Sequence, residues 1–146
     1  MTLKAYTIEE VIGEVGVAAL PGEKLTVDVG DTVRVHLTVD YMGPAIDGSV
    51  WVAIGRQNLG FAEDFVPDAP VPVHFNESVP WVTYPIVVDI PIWDRPGTDY
   101  DMYAKIMQVP GPDIFTPDLL NIIDVIAAVP TEPQFRDFTI DSYEKV

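Results

Sequence analysis

The sequence predicts an all-β chain: two stacked layers of antiparallel strands, about seven to nine in number, forming one sandwich domain over residues 1–146. Three observations carry this. Runs in which apolar and polar residues alternate recur along the chain, the period of a strand with one buried face. The 14 prolines fall in short groups between runs rich in Val, Ile, Thr, Tyr and Trp. Proline removes a ladder donor and is excluded from helix interiors, so that spacing marks strand ends rather than helices. Finally, hydrophobic residues make up 48% of the chain and charged residues 21%, enough apolar surface for a real core.

Each element follows from its local pattern. Residues 32–41 alternate most strictly, with Val33, Val35, Leu37, Val39 and Tyr41 on one face and Arg34, His36, Thr38 and Asp40 on the other. Residues 25–29 precede them across a Gly30-Asp31 turn, which suggests a hairpin. Residues 49–55 read as a strand containing Trp51. In residues 82–92, Val82, Tyr84, Ile86, Val88, Ile90 and Ile92 oppose a face that includes Pro85 and Pro91, as on a strand near a sheet edge or one interrupted by a bulge. After the turn at 94–97, residues 100–107 place Tyr100, Met102, Ala104 and Ile106 on one side. Weaker strand patterns cover 3–7, 59–66, 71–76 and 134–143. Residues 119–129 are ambiguous: Thr116-Pro117-Asp118 would start a helix, whereas Ile122, Ile123, Val125 and Ile126 favour a buried strand. Strand is preferred, because residues 100–107 need a neighbour. No internal repeat, low-complexity tract or linker divides the chain.

Val29-Gly30-Asp31-Thr32-Val33-Arg34-Val35-His36-Leu37-Thr38-Val39 with Gly43-Pro44-Ala45, then Trp51, then Gly97-Thr98-Asp99-Tyr100-Asp101-Met102, together resemble the immunoglobulin-like sandwich of CARDB-type adhesion modules in bacterial and archaeal surface proteins. The resemblance spans about residues 25–106. It implies an immunoglobulin-like core over about 25–128, with additional strands at both termini. It further implies that Trp51 is a core tryptophan on the third strand and that Tyr100 hydrogen-bonds back to the corner before the sixth. Met102 would stand at the second disulfide position of antibody-type domains, and with no cysteine in the chain the core depends on packing alone. Such a fold hosts many functions, so the resemblance favours a binding or structural role without naming one.

Charge and composition exclude several classes. With 8 Lys plus Arg against 23 Asp plus Glu, the net charge is −15 and the pI about 4.1. Such a surface repels phosphate backbones and anionic bilayers, so neither nucleic-acid binding nor membrane insertion is expected. Absence of cysteine removes thiolate metal sites and cysteine nucleophiles. No window approaches the ~18 uninterrupted apolar residues of a spanning helix, and residues 1–7 lack the basic-then-apolar order of a signal peptide. A virion or an extracellular surface is the favoured location, reached after removal of a signal or by lysis.

The chain carries no phosphate-binding glycine loop, nucleophile elbow or paired-histidine zinc motif. Its two histidines, His36 and His74, read as solvated or packed side chains, and no catalytic residue is assigned. Asp94, Asp99 and Asp101 flank a turn and form a candidate calcium set, since calcium takes six to eight oxygen ligands; Glu63, Asp64 and Asp68 form a second acidic group. Trp81, Trp93, Tyr103 and Phe115 are candidate ligand-binding aromatics, able to stack on sugars or anchor a protein. Asn76-Glu77-Ser78 fits an N-glycosylation triplet. The expected function is a non-enzymatic structural or interaction module with a protein partner or self-assembly. A carbohydrate-binding module, with or without calcium, is the alternative; an enzyme would need a facing pair of carboxylates.

Overall fold

A computed structural model describes residues 2–14, 17–20, 22–58, 60–109, 111–127 and 133–146. Eleven strands occur among them: β1 (Thr2–Glu14), β2 (Val17–Ala19), β3 (Leu25–Asp28), β4 (Thr32–Gly43), β5 (Ile46–Asn58), β6 (Gly60–Phe65), β7 (Val71–Phe75), β8 (Ser78–Pro91), β9 (Gly97–Val109), β10 (Ile114–Phe115) and β11 (Leu119–Ile126). The described residues contain no helix. The strands form two sheets that pack face to face. One runs β2-β1-β4-β8; the other runs β3-β11-β9-β5-β6, with β10 added on β9 and β7 on β5. The strand count exceeds seven to nine because β2 and β10, only 3 and 2 residues long, are too short to show an alternating pattern.

The alternation in β4 sets the smaller sheet. Val33, Val35, Leu37, Val39 and Tyr41 are all 2% exposed or less, and β8 pairs with β4 so that Val88 lies opposite Val35 and Ile90 opposite Val33. Among the described residues β8 pairs with β4 alone, which is why Pro85 and Pro91 are tolerated within it: an edge strand does not need every N–H. From the larger sheet, Val50, Val52 and Ile54 of β5 and Tyr100, Met102, Ala104 and Ile106 of β9 meet these residues in one continuous core. Met102 is fully buried, so the position implied for a cysteine is filled by packing.

Residues 25–29 do not make a hairpin with β4. β3 belongs to the other sheet and runs parallel to β11, pairing Leu25 with Ile123 and Val27 with Val125, an exception to the antiparallel expectation. The Gly30-Asp31 turn is instead the point where the chain changes layer. Val29 N–H donates to the Ile126 carbonyl, Gly30 N–H to the Ile92 carbonyl, and Ile92 N–H to the Asp31 carbonyl. Gly30 holds φ +98°, a value suited to glycine.

The ambiguous segment resolves as β11, which lies between β9 and β3; residues 128 and 129 fall outside the described residues. Patterns at 3–7, 60–65 and 71–75 lie in β1, β6 and β7, while Leu59 is outside the described residues. Residues 134–143 are not a strand. Residues 133–146 pair with nothing in the ladder and every one is exposed, because no sheet edge of this copy takes them up.

Trp51 is also corrected. It is half-buried and lies outside the core cluster, because Val50, Val52 and Ile54 occupy the inner face of β5 and the period of two sends residue 51 outward.

Candidate functional site

The outward face of the larger sheet gathers the chemistry. Cross-strand pairing of β5 with β9 sets Ser49 opposite Met107, Trp51 opposite Lys105, Ala53 opposite Tyr103 and Gly55 opposite Asp101. Directly opposed residues share a face, and of these Ser49, Trp51, Tyr103, Lys105 and Met107 keep part of their surface accessible, while Ala53 and Asp101 are covered. β10 brings Phe115 opposite Lys105, and β6 brings Glu63 opposite Gly55. β7 sets His74 opposite Asp47. The result is a band of Trp51, Tyr103 and Phe115 with Lys105 between.

Tyr103 and Phe115 are in contact, with ring centroids 6.1 Å apart and planes tilted by 37°. The Tyr103 hydroxyl donates to the Glu63 carboxylate. Its phenol is pushed well above the usual range, first by burial and then by the hydrogen bond and charge of Glu63, with Asp118 adding to it. Phe115 keeps 56% of its surface exposed. At the far end of the band, Asp47, Gly48, Ser49 and Met107 line a shallow depression of about 210 Å³. Beside it, His74 Nδ1 lies 2.7 Å from Asp47 Oδ1.

The four aromatics singled out in the sequence therefore separate. Tyr103 and Phe115 belong to one surface. Trp93 does not: its indole N–H donates to the Asp64 carbonyl over 2.8 Å, its ring stands 6.0 Å from Phe65, and the Arg95 guanidinium lies 5.2 Å from its centroid. It closes over the Phe65 end of the core. Trp81 is half-buried on β8 of the other sheet. The missed members are Trp51, Lys105 and the Asp47–His74 pair. The clue was in residues 49–55, where Val50, Val52 and Ile54 alternate against Ser49, Trp51 and Ala53.

The acidic candidates disperse as well. Asp99 is 2.5 Å from Lys24 Nζ, and its backbone N–H donates to Asp124 Oδ1 at 2.9 Å. Asp101, 7% exposed, accepts the Asn121 N–H at 2.8 Å and so fastens β11 to β9. Asp94 is exposed on the turn. In the second group, Glu63 serves Tyr103, Asp64 pairs with Arg95, and Asp68 is exposed. No cluster of three or more His, Asp or Glu side chains suited to a metal occurs among the described residues. In the first set a lysine engages Asp99 and a backbone amide engages Asp101.

His36 lies on the outward face of β4 with Nε2 3.5 Å from Glu10 Oε1. His74, on β7, belongs to the other sheet.

No protein-family model matches the chain, and no curated protein is similar to it.

Proposed function

We propose that this chain is a non-enzymatic interaction module of the immunoglobulin-like adhesion kind, displayed on a virion or cell surface. It docks through the outward face of its larger sheet. The observation that carries this reading is the band of Trp51, Tyr103 and Phe115 on a face that the core does not use. Large rings with partial exposure are the residues that supply most binding energy at protein interfaces. One further feature supports the family resemblance: a Tyr100 hydroxyl that donates to the Arg95 carbonyl over 2.9 Å, the corner expected of such sandwiches. The test is binding of the purified chain to particles or envelopes of its producing organism. Wild type binds, and Trp51→Ala and Phe115→Ala lose binding while keeping the native circular dichroism. A homogeneous monomer with no affinity for either preparation overturns the reading.

The depression beside Trp51 favours a second reading, carbohydrate binding. An aromatic ring stacks on the apolar face of a pyranose while neighbouring polar groups take its hydroxyls, and Asp47, Ser49, His74 and Lys105 supply such groups along the same face. A glycan array distinguishes the two. Sugar-dependent retention lost in Trp51→Ala supports this reading, and an array with no signal removes it.

A further inference from the structure

The exposed C-terminal segment repeats the first strand. Residues 3–11 read Leu-Lys-Ala-Tyr-Thr-Ile-Glu-Glu-Val, and residues 135–143 read Phe-Arg-Asp-Phe-Thr-Ile-Asp-Ser-Tyr. Thr7-Ile8 recurs as Thr139-Ile140; Lys4 becomes Arg136, Tyr6 becomes Phe138, and Glu9 becomes Asp141. This repeat is one strand long, so a search for whole repeated units passes over it.

The geometry of β1 gives the match its meaning. β1 sets Leu3, Tyr6, Ile8 and Val11 opposite Tyr41, Val39, Leu37 and Val35 of β4, the buried row of that strand. The spacing is 3, 2, 3 rather than a plain alternation, because the register shifts between Leu3 and Tyr6 and again between Ile8 and Glu10. The large apolar residues of the tail, Phe135, Phe138, Ile140 and Tyr143, fall at the same 3, 2, 3 spacing. An ordinary strand has no reason to carry two irregularities at matched places. Exposure points the same way. Ile8 is 5% exposed, whereas Ile140 is 87% exposed, and Phe135, Phe138 and Tyr143 are 90–98% exposed.

We propose that residues 135–143 are a second β1 strand, and that the tail of one copy takes the β1 position against β4 of a second copy. Phe138 then stands opposite Val39, Thr139 opposite Thr38 and Ile140 opposite Leu37. The slot in each copy already holds its own β1, so assembly requires the incoming tail to displace that strand. The tail competes with larger side chains at two of the four matched places, Phe for Leu and Tyr for Val, and offers the more apolar Phe for Tyr at a third. The inference does not use the outward face of the larger sheet and stands or falls apart from it.

The chain contains no cysteine, so introduced thiols report cleanly. Directly opposed residues of antiparallel strands lie within disulfide range. Full-length Thr38→Cys is mixed with full-length Thr139→Cys and oxidised; a mixture with Ser142→Cys, three residues out of register, is the control. The expected product is a 38–139 disulfide between chains, lost when Ile140→Asp is added to the tail donor. In a second arm, Thr7→Cys with Thr38→Cys locks β1 into its own slot. The oxidised form is expected to stay monomeric by sedimentation at concentrations where wild type self-associates, and reductant restores association. The proposal is overturned if wild type is monomeric throughout, if the 38–139 link does not exceed the 38–142 control, or if the oxidised lock associates like wild type.

Discussion

The Tyr100 hydroxyl donates to the carbonyl of Arg95, five residues back, across 2.9 Å. The same oxygen accepts from Arg56 Nη2 at 2.7 Å, and the Arg56 guanidinium lies 4.5 Å from the ring centroid. The ring is fully buried and stands edge-on to Phe65 at 5.2 Å. One hydroxyl thus ties the turn before β9 to β5. Tyr100→Phe keeps the ring and removes this link, leaving a part-buried carbonyl and a guanidinium without their partner. The expected loss is about 1–3 kcal/mol, read by urea denaturation.

Gly97 sits under that corner. A Cβ there would lie 2.5 Å from Arg56 Nη2 and 2.9 Å from the Tyr100 hydroxyl. Gly97→Ala is expected to lower the melting temperature of wild type. In a Tyr100→Phe background the additional drop should be smaller, because the clashing hydroxyl is gone.

Met102 and Trp51 make opposite predictions about stability. Met102 is fully buried, so Met102→Ala leaves a cavity and is expected to cost about 2–5 kcal/mol. Trp51 is half-buried on the outward face, so Trp51→Ala should cost clearly less. Denaturation of both variants in one buffer checks the order. A reversed order would return Trp51 to the core.

Acid stability is tied to Asp124 and Asp89. The Asp99 N–H, then Lys24, hold the Asp124 carboxyl below its usual range; Arg34, bonded to Asp89 at 2.8 Å, does the same there. A carboxylate with a depressed folded pKa adds stability that is present above the unfolded value, about 4, and disappears as pH falls through the folded one. The stability difference between wild type and Asp124→Asn should therefore be steady at neutral pH and shrink below about pH 4. Denaturation midpoints from pH 7 to 2 test this, and comparing the two proteins removes the shared effect of the −15 net charge.

Tyr103 is expected to ionise well above the ordinary tyrosine range, since burial and the Glu63 carboxylate both favour its neutral phenol. Glu63→Gln removes the charge and should bring its ionisation to lower pH. Ultraviolet difference titration of Tyr103→Phe against wild type isolates the group.

Alternation and proline placement made β4, β8 and β9 legible, and the motif around Tyr100 pointed to its corner. The site was legible only in part. Tyr103 and Phe115 could be named as aromatics but not joined, because their contact depends on β10 folding back onto β9. Asp99 and Asp101 looked like a ligand pair because their partners, Lys24 and the Asn121 amide, are distant in sequence. For Trp51 the resemblance implies a core position, whereas the alternation of Val50, Val52 and Ile54 around it points the ring outward.

Periodicity by itself determined that this is a β protein with one apolar face per strand, since side-chain alternation is a local consequence of the extended backbone. Partner choice was left to the tertiary structure. Leu25 and Val27 alternate as well beside β4 as beside β11, and the parallel ladder to β11, extended by the Val29 N–H to the Ile126 carbonyl, decides between them. Pairing across a sheet joins residues far apart in the chain, and that information resides in the packing of two layers rather than in any one segment.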